Sequence, residues 1–286
     1  MNISNLPRIG AHLPIGKGLK VTAEQARELG LEALQVFLRN PRGMKARQLQ
    51  DEETSFFSQQ LQEADISPLV VHIPYISNPA AVKEDIYQLA LRIINEDLAR
   101  GERVGADYLV LHPGAYTTST ADAAIDRLTA LLNRVLDNYS GSMIILIETM
   151  AGQGTEIGRN FEEMAHILDG VTESSRVGCC LDTCHLTGAG YDLTTLEGVN
   201  RLAKDIEASI GRERVKLVHA NDSSHPPGSR RDRHAPIGSG YIGEDGFRIM
   251  LQHPFFKQLP FILETPFETI AEDVNSLKRL RGTERS

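Results

Sequence analysis

The sequence predicts an α/β fold, a single-domain TIM (β/α)8 barrel over residues 1–286. Three observations carry that expectation. Eight short β-rich segments recur along the chain, their ends roughly 26 to 45 residues apart, about one βα unit each. Several of them (LVLH, IILIE, KLVH, FILE) are near-continuous apolar runs, as parallel strands covered on both faces are. No Pro-, Gly- or Ser-rich tract divides the chain, and eight units suit a closed barrel, where an open doubly wound sheet more often shows about five or six.

The elements follow in alternation. A strand over 8–12 leads to a helix over 22–29, where Thr22 and Gln25 have the form of a capping box. Strands over 33–38, 69–72 and 108–112 precede helices over 51–64, 80–104 and 121–139. The strand over 143–148 is followed by a helix over 160–168, and the strand over 177–182 by one over 194–210, opened by a second box of Thr194 and Glu197. Strands over 215–219 and 261–264 precede the last two helices, over 244–251 and 268–280.

Composition narrows the class. An apolar fraction of 41% with 24% charged residues is ordinary for a soluble globular protein and excludes disorder, collagen and disulfide scaffolds. Residues 1–18 hold no apolar core of signal-peptide length, and Pro7 and Pro14 interrupt them. The most apolar runs, such as 143–147, fall far short of a membrane span, so no membrane partner is expected. Cys179, Cys180 and Cys184 are odd in number, and the adjacent pair is poorly placed for a disulfide. Reduced, buried thiols in a cytoplasmic protein are expected, and their spacing fits no Cys-based zinc motif. A net charge of −8 by itself argues against a nucleic-acid partner.

Strand ends carry the functional signal. Six of the eight strands end on a metal-ligand residue type: His72, His112, Glu148, Asp182, His219 and Glu264. The first also ends on a histidine, His12. A lone histidine at a strand end is more often a hydrogen-bonded core group than a ligand. In a barrel, however, the C-terminal strand ends all point at one mouth, where active sites sit. Burying so many ionisable groups together is costly without compensating cations.

Two short motifs add three candidates. His185 lies about one helical turn beyond Asp182 in Asp182-Thr-Cys-His185, and Asp232 and His234 alternate along a loop segment, so they face the same way if it is extended. Five histidines and four carboxylates exceed what one four-coordinate zinc needs. The donor set favours Zn2+, with Mn2+ or Fe2+ as alternatives, in a multi-metal hydrolytic site. His166, His253 and His225 read as surface or solvated residues. The run Gly152-Gln-Gly154-Thr-Glu-Ile-Gly158 has GxGxxxG spacing without an acidic partner in a βαβ context, so it is read as a turn near the ligand and no nucleotide cofactor is expected.

At this point the chain resembles the endonuclease IV family, the zinc-dependent apurinic/apyrimidinic endonucleases (deoxyribonuclease IV) of DNA repair. The resemblance runs nearly end to end, through Ile9-Gly-Ala-His12, Leu111-His-Pro-Gly114, Ile147-Glu-Thr-Met-Ala-Gly-Gln-Gly154, Leu181-Asp-Thr-Cys-His185 and His219-Ala-Asn-Asp-Ser223. Asp232-Arg-His234 through Ile237-Gly-Ser-Gly240, and Leu263-Glu-Thr-Pro266, complete it. It implies three zinc ions per chain: one on His72, His112 and Glu148, a second on Glu148, Asp182, His219 and Glu264, and a third on His185, Asp232 and His234. Glu148 would bridge the first two and be essential for catalysis. The implied substrate is duplex DNA containing abasic sites, cut on their 5′ side by in-line attack to leave a 3′-hydroxyl and a 5′-deoxyribose phosphate. A 3′-end-cleaning phosphodiesterase activity is also implied, and a monomer is expected because the family engages DNA with one barrel mouth. Flipping the damaged nucleotide is cheapest where no base stacks or pairs. For that step Arg42 and Tyr75 match the family's inserted arginine and tyrosine, with Ile76 as the apolar wedge. The loop around Arg42 reads Asn40-Pro-Arg-Gly-Met44, where better-known members carry an aromatic near Met44.

The competing enzyme class is a divalent-metal sugar isomerase or epimerase of the xylose-isomerase-like barrels, which typically lacks a clip such as His185 with Asp232 and His234. A non-catalytic binding barrel would be expected to have lost some of these nine groups. The charge distribution also reopens DNA as a partner. Three Zn2+ ions would bring the chain from −8 to about −2. Residues 39–47 carry Arg39, Arg42, Lys45 and Arg47 with no acid, and Arg230, Arg231 and Arg233 crowd a later loop, whereas 51–65 carry five acids and no base. A positive mouth and a negative outer face are therefore expected.

Overall fold

In the computed structural model, which describes residues 6–41, 45–74 and 77–282, eight parallel strands close into a barrel. They are β1 (Ile9–His12), β2 (Ala33–Val36), β3 (Leu69–His72), β4 (Tyr108–Leu111), β5 (Ile144–Glu148), β6 (Val177–Asp182) and β7 (Val215–His219), then β10 (Phe261–Leu263), which pairs with both β7 and β1. Two two-residue strands, β8 (Asp222–Ser223) and β9 (His234–Ala235), pair antiparallel outside the barrel sheet.

Side-chain alternation builds two layers inside it. Ala33, Val70, Val110, Leu146, Cys180, Leu217 and Ile262 pack together as the interior cluster. Residues two further on return to the same face. Counting on by two from each gives Gln35, His72, His112, Glu148, Asp182, His219 and Glu264, so an apolar plug underlies a polar layer at the C-terminal ends. β1 supplies Gly10 and His12 in the same register, and Gly10 is required by close approach: a Cβ there would stand 2.4 Å from the carbonyl oxygen of Ala33.

The other strand face, including Val71, Ile145, Ile147 and Leu181, packs under the helical ring in one continuous core. The ring is α1 (Leu19–Glu28), α2 (Asp51–Glu63), α3 (Glu84–Val104), α4 (Ala121–Leu136), α5 (Phe161–Asp169), α6 (Thr183–Ala189), α7 (Leu196–Ser209), α8 (Gly243–Gln252) and α9 (Ile270–Leu280). Among the described residues, no helix is long and apolar enough to cross a membrane.

Several local expectations are corrected. Neither capping box forms as read. α1 begins after Gly18, and Thr22 instead donates from Oγ1 to the carbonyls of Pro14 and Gly18. α7 is capped by Thr195, whose hydroxyl accepts from Gly198 N, while Thr194 donates to Asp192. α6 is an addition to the expected elements, because its sequence TCHLTGA is short and poor in strong helix formers. β2 stops at Val36 rather than 38.

The charge map also changes. Arg39 is buried and grips Asp97 through two hydrogen bonds of 2.8 Å each, so it does not face the mouth. Arg47 pairs with Glu53, Arg103 with Asp51 and Arg8 with Asp65, which offsets three of the five acids on 51–65. Counting charge segment by segment misses these pairs because each joins a residue of 51–65 to one outside that segment.

Candidate metal centre

The backbone around the mouth places each candidate ligand. Asp182 ends β6 and caps α6: its Oδ1 accepts from the His185 amide at 2.7 Å, which fixes the His185 turn against the strand. Buried Asp222 gathers the seventh loop, its carboxylate accepting from the amides of Gly238, Gly240, Ile242 and Gly243 at 2.9 to 3.2 Å. Pairing of Ser223 with His234 then sets the clip beside the barrel end. The glycine-rich segment after β5 is a turn leading to α5, with positive φ at Gly152, Gly154 and Gly158, and Gln153 Oε1 accepts from Asp232 N at 3.4 Å.

All nine candidate ligands converge. Glu148 is the hub: Oε2 lies 3.0 Å from His72 Nε2 and 3.2 Å from His112 Nε2, and Oε1 lies 2.9 Å from His219 Nδ1 and 3.5 Å from His185 Nδ1. Donor atoms of Glu148, Asp182, His219 and Glu264 fall within 4.8 Å of one another, as do those of His185, Asp232 and His234. His72 groups with Glu148 and His219 in the same way, while His112 joins through Glu148. A cavity of about 320 Å³ opens over the cluster, lined by His12, Phe37, His72, His112, His185, Asp232, His234, Glu264 and Thr265. Arg42, Tyr75 and Ile76 lie outside the described residues.

Three histidines show why a cation fits. His72 Nδ1 lies 2.7 Å from the carbonyl of Ile73 and His185 Nδ1 lies 2.8 Å from that of Thr149. A carbonyl only accepts, so each Nδ1 carries the hydrogen and each Nε2 presents a lone pair. Those lone pairs face Glu148 Oε2 at 3.0 Å and Asp232 Oδ2 at 3.2 Å, acceptor against acceptor. A proton or a metal ion must lie between them. Consistent with this, the buried Nε2 atoms of His185 and His234 make no regular hydrogen bond among the described residues, although each has an Asp232 oxygen 3.2 Å away.

Electrostatics at the site favour the same added positive charge. Burial pushes the Glu148 carboxyl up, but the imidazoles of His219 and His112 outweigh it and hold it well below the usual carboxylate range. Burial likewise raises Glu264, and His219 overrides it to leave the group at about 2. Burial lowers His234, while Asp232 and Asp182 raise it to about 9. Asp182 is raised by burial, and burial drives His12 down to about 3. Cys184 stands near Asp182 and His234, but burial pushes its thiol up to about 12. The free, buried cysteines fit the expected structural thiols.

Two neutral residues escape the sequence reading. Gln35 and Asn221 are fully buried and bonded to the carboxylates of the cluster. Reading the second strand to residue 38 hides Gln35, because it moves the strand end away from that position. Asn221 lies in the quoted His219-Ala-Asn-Asp segment, but an amide carries no ligand signature.

Fold and site together define a (β/α)8 barrel of the xylose isomerase-like class with a candidate metal site at its mouth, and residues 23–280 match the xylose isomerase-like TIM barrel family. Within it, the chain is 40% identical over 273 residues to "Probable endonuclease 4" of Carboxydothermus hydrogenoformans, covering 96% of each protein. Endonuclease IV from Thermus thermophilus superposes with a TM-score of 0.84 at 32% identity, over 96% of this chain and 98% of that one. A D-tagatose 3-epimerase-like protein reaches a TM-score of 0.73 at 18% identity over 96% of each chain, a likeness of fold alone. The chain belongs to the endonuclease IV family.

Proposed function

We propose that this DNA-repair endonuclease hydrolyses the phosphodiester bond 5′ of abasic sites in duplex DNA, acts as a monomer, and also cleans blocked 3′ ends as a phosphodiesterase. The supporting observation is the position of Glu148, one buried carboxylate facing His72 and His112 through Oε2 and His219 through Oε1. A carboxylate with imidazole donors on both sides suits a bridge between two divalent cations.

The residues fit three zinc ions, with Mn2+ or Fe2+ as substitutes. His72, His112 and Glu148 would hold one; Glu148, Asp182, His219 and Glu264 a second; His185, Asp232 and His234 a third. When bound, such ions supply a nucleophile at neutral pH, Lewis acidity and a charge clamp for a phosphodiester. The chain's own work is orientation. Backbone carbonyls fix the tautomers of His72 and His185, and Asp182 places His185 through its amide. In the reaction the oxygen of water joins phosphorus, the bond from phosphorus to the 3′-oxygen breaks, and that oxygen leaves with a proton. Exposed Arg230, Arg231 and Arg233 flank the clip and suit the phosphate backbone. Arg42, Tyr75 and Ile76 are assigned to the DNA gap on the strength of the sequence motif.

The test is a synthetic duplex with one abasic site and the zinc-loaded protein. Incision to a 3′-hydroxyl and a 5′-deoxyribose phosphate is expected. An intact duplex, with turnover of a ketose, would replace this reading with the epimerase one.

A further inference from the structure

Gln35 is the one residue of the polar layer, among the described strands, that can neither ionise nor bind a metal strongly, yet it is wholly buried. Both polar atoms of its amide are engaged. Nε2 lies 2.7 Å from Glu264 Oε1 and 3.0 Å from His12 Nδ1, and Oε1 lies 2.9 Å from His219 Nε2. The amide orientation follows from chemistry: an ionised carboxylate cannot donate, so nitrogen faces Glu264 and oxygen faces His219. His219 must then carry its hydrogen on Nε2, which leaves the Nδ1 lone pair directed at Glu148 Oε1, 2.9 Å away, and toward Glu264 Oε2 at 3.4 Å.

His219 thus shares the arrangement of His72 and His185, with the two ring nitrogens exchanged. There the remote nitrogen donates to a backbone carbonyl, which no substitution removes. Here the acceptor is a side chain from a strand that does not neighbour β7. Glu264 is held from both sides as well, Oε1 by Gln35 and Oε2 by Asn221 Nδ2 at 3.1 Å.

We propose that Gln35 is a positioning residue of the metal centre, fixing His219 in the tautomer that presents Nδ1 to the metal and aligning the Glu264 carboxylate beside it. The inference rests on the metal-centre reading above. Partners of this kind typically change metal affinity about 10- to 100-fold when removed.

The test uses the full chain loaded with Zn2+, comparing wild type with Gln35→Met, which keeps volume but not polarity, and Gln35→Glu, which keeps an acceptor for His219. Zinc release to a chelator and the nitrogen-15 spectra of the histidine rings are read. The wild type is expected to show His219 protonated on Nε2. Gln35→Met is expected to release one class of zinc about 10- to 100-fold more readily and to lose the hydrogen-bonded Nε2–H signal, while Gln35→Glu retains that signal. Zinc release and ring spectra in Gln35→Met that match wild type would overturn the proposal. A wild-type spectrum with Nε2 unprotonated would overturn it without any variant. Neither readout involves DNA, so a failure of the nuclease reading shows separately, in the incision assay. Wild type that binds no zinc would overturn both.

Discussion

At the mouth, Glu148 and Asp182 are as deeply buried as Asp97 is behind the segment that follows β2, but the three carboxylates meet different partners. Asp97 meets Arg39, a permanent cation of the same chain, in a two-pronged pair, and Arg100 flanks it. Even so, burial leaves the Asp97 carboxyl above its ordinary value although Arg39 pulls it down. The guanidinium is raised, its loss of solvent outweighed by Asp97. That pair costs desolvation and locks α3 to the segment after β2, while Arg100 and Arg103 hold the carbonyls of Leu38, Arg47 and Leu49. Among the described residues, the side-chain partners of the Glu148 carboxylate are imidazoles, two of them tautomerically committed to present lone pairs. One region is complete as folded, and the other, on the proposed reading, would be completed by metal ions.

Removing metal should separate the regions most sharply. Exhaustive chelation is expected to abolish incision of an abasic duplex, with Zn2+ restoring it. If the ions normally stand near 1,000-fold above their dissociation constants, chelation also removes about 4 kcal/mol of stability, on the order of 10 °C in melting temperature. A chelated protein that still incises would make the mouth self-sufficient, like the Asp97 pair.

Glu148→Gln comes next. Losing several kcal/mol of transition-state stabilisation corresponds to a fall in incision of about 10³-fold or more, with circular dichroism unchanged. Activity within tenfold of wild type would remove Glu148 from the bridging role.

Asp97→Ala addresses the other region. It leaves a buried guanidinium short of its main partner and is expected to cost about 3 kcal/mol in denaturant unfolding, while zinc content stays that of wild type. Replacing Arg39 and Asp97 together by Met and Leu should recover most of that loss. Failure to recover it would mean that the pair does more than fill space.

The smallest effect concerns Glu32, at the other end of the barrel strands. Burial raises its carboxyl, but Arg281 and the Ile9 amide hold it below its ordinary value. A depressed carboxylate contributes stability that is fully present above its unfolded pKa and is lost as pH falls through its folded one. Glu32→Gln should therefore cost about 1 kcal/mol at neutral pH, and the difference from wild type should vanish in acid. A gap that persisted in acid would assign the loss to packing.

Much of the barrel is legible because parallel strands write themselves as apolar runs, and the six strand-end ligand types stand out against them. What stays hidden depends on partners distant in sequence. Arg39 counts as surface charge until α3 supplies Asp97, and α6 forms because Asp182 caps a segment of weak propensity. Gln35 and Asn221 have no ligand chemistry of their own, so only the geometry around Glu264 reveals them. Arg42, Tyr75 and Ile76 lie outside the described residues, and there the sequence motif alone speaks.

The proposed metal centre requires several cations at the mouth. Metal analysis of protein purified without chelator and saturated with zinc tests it most directly. With nine donor residues and about four ligands per zinc, one of them shared, about three zinc ions per chain are expected. About one per chain would contradict the cluster and leave the remaining carboxylates to be neutralised by protons alone.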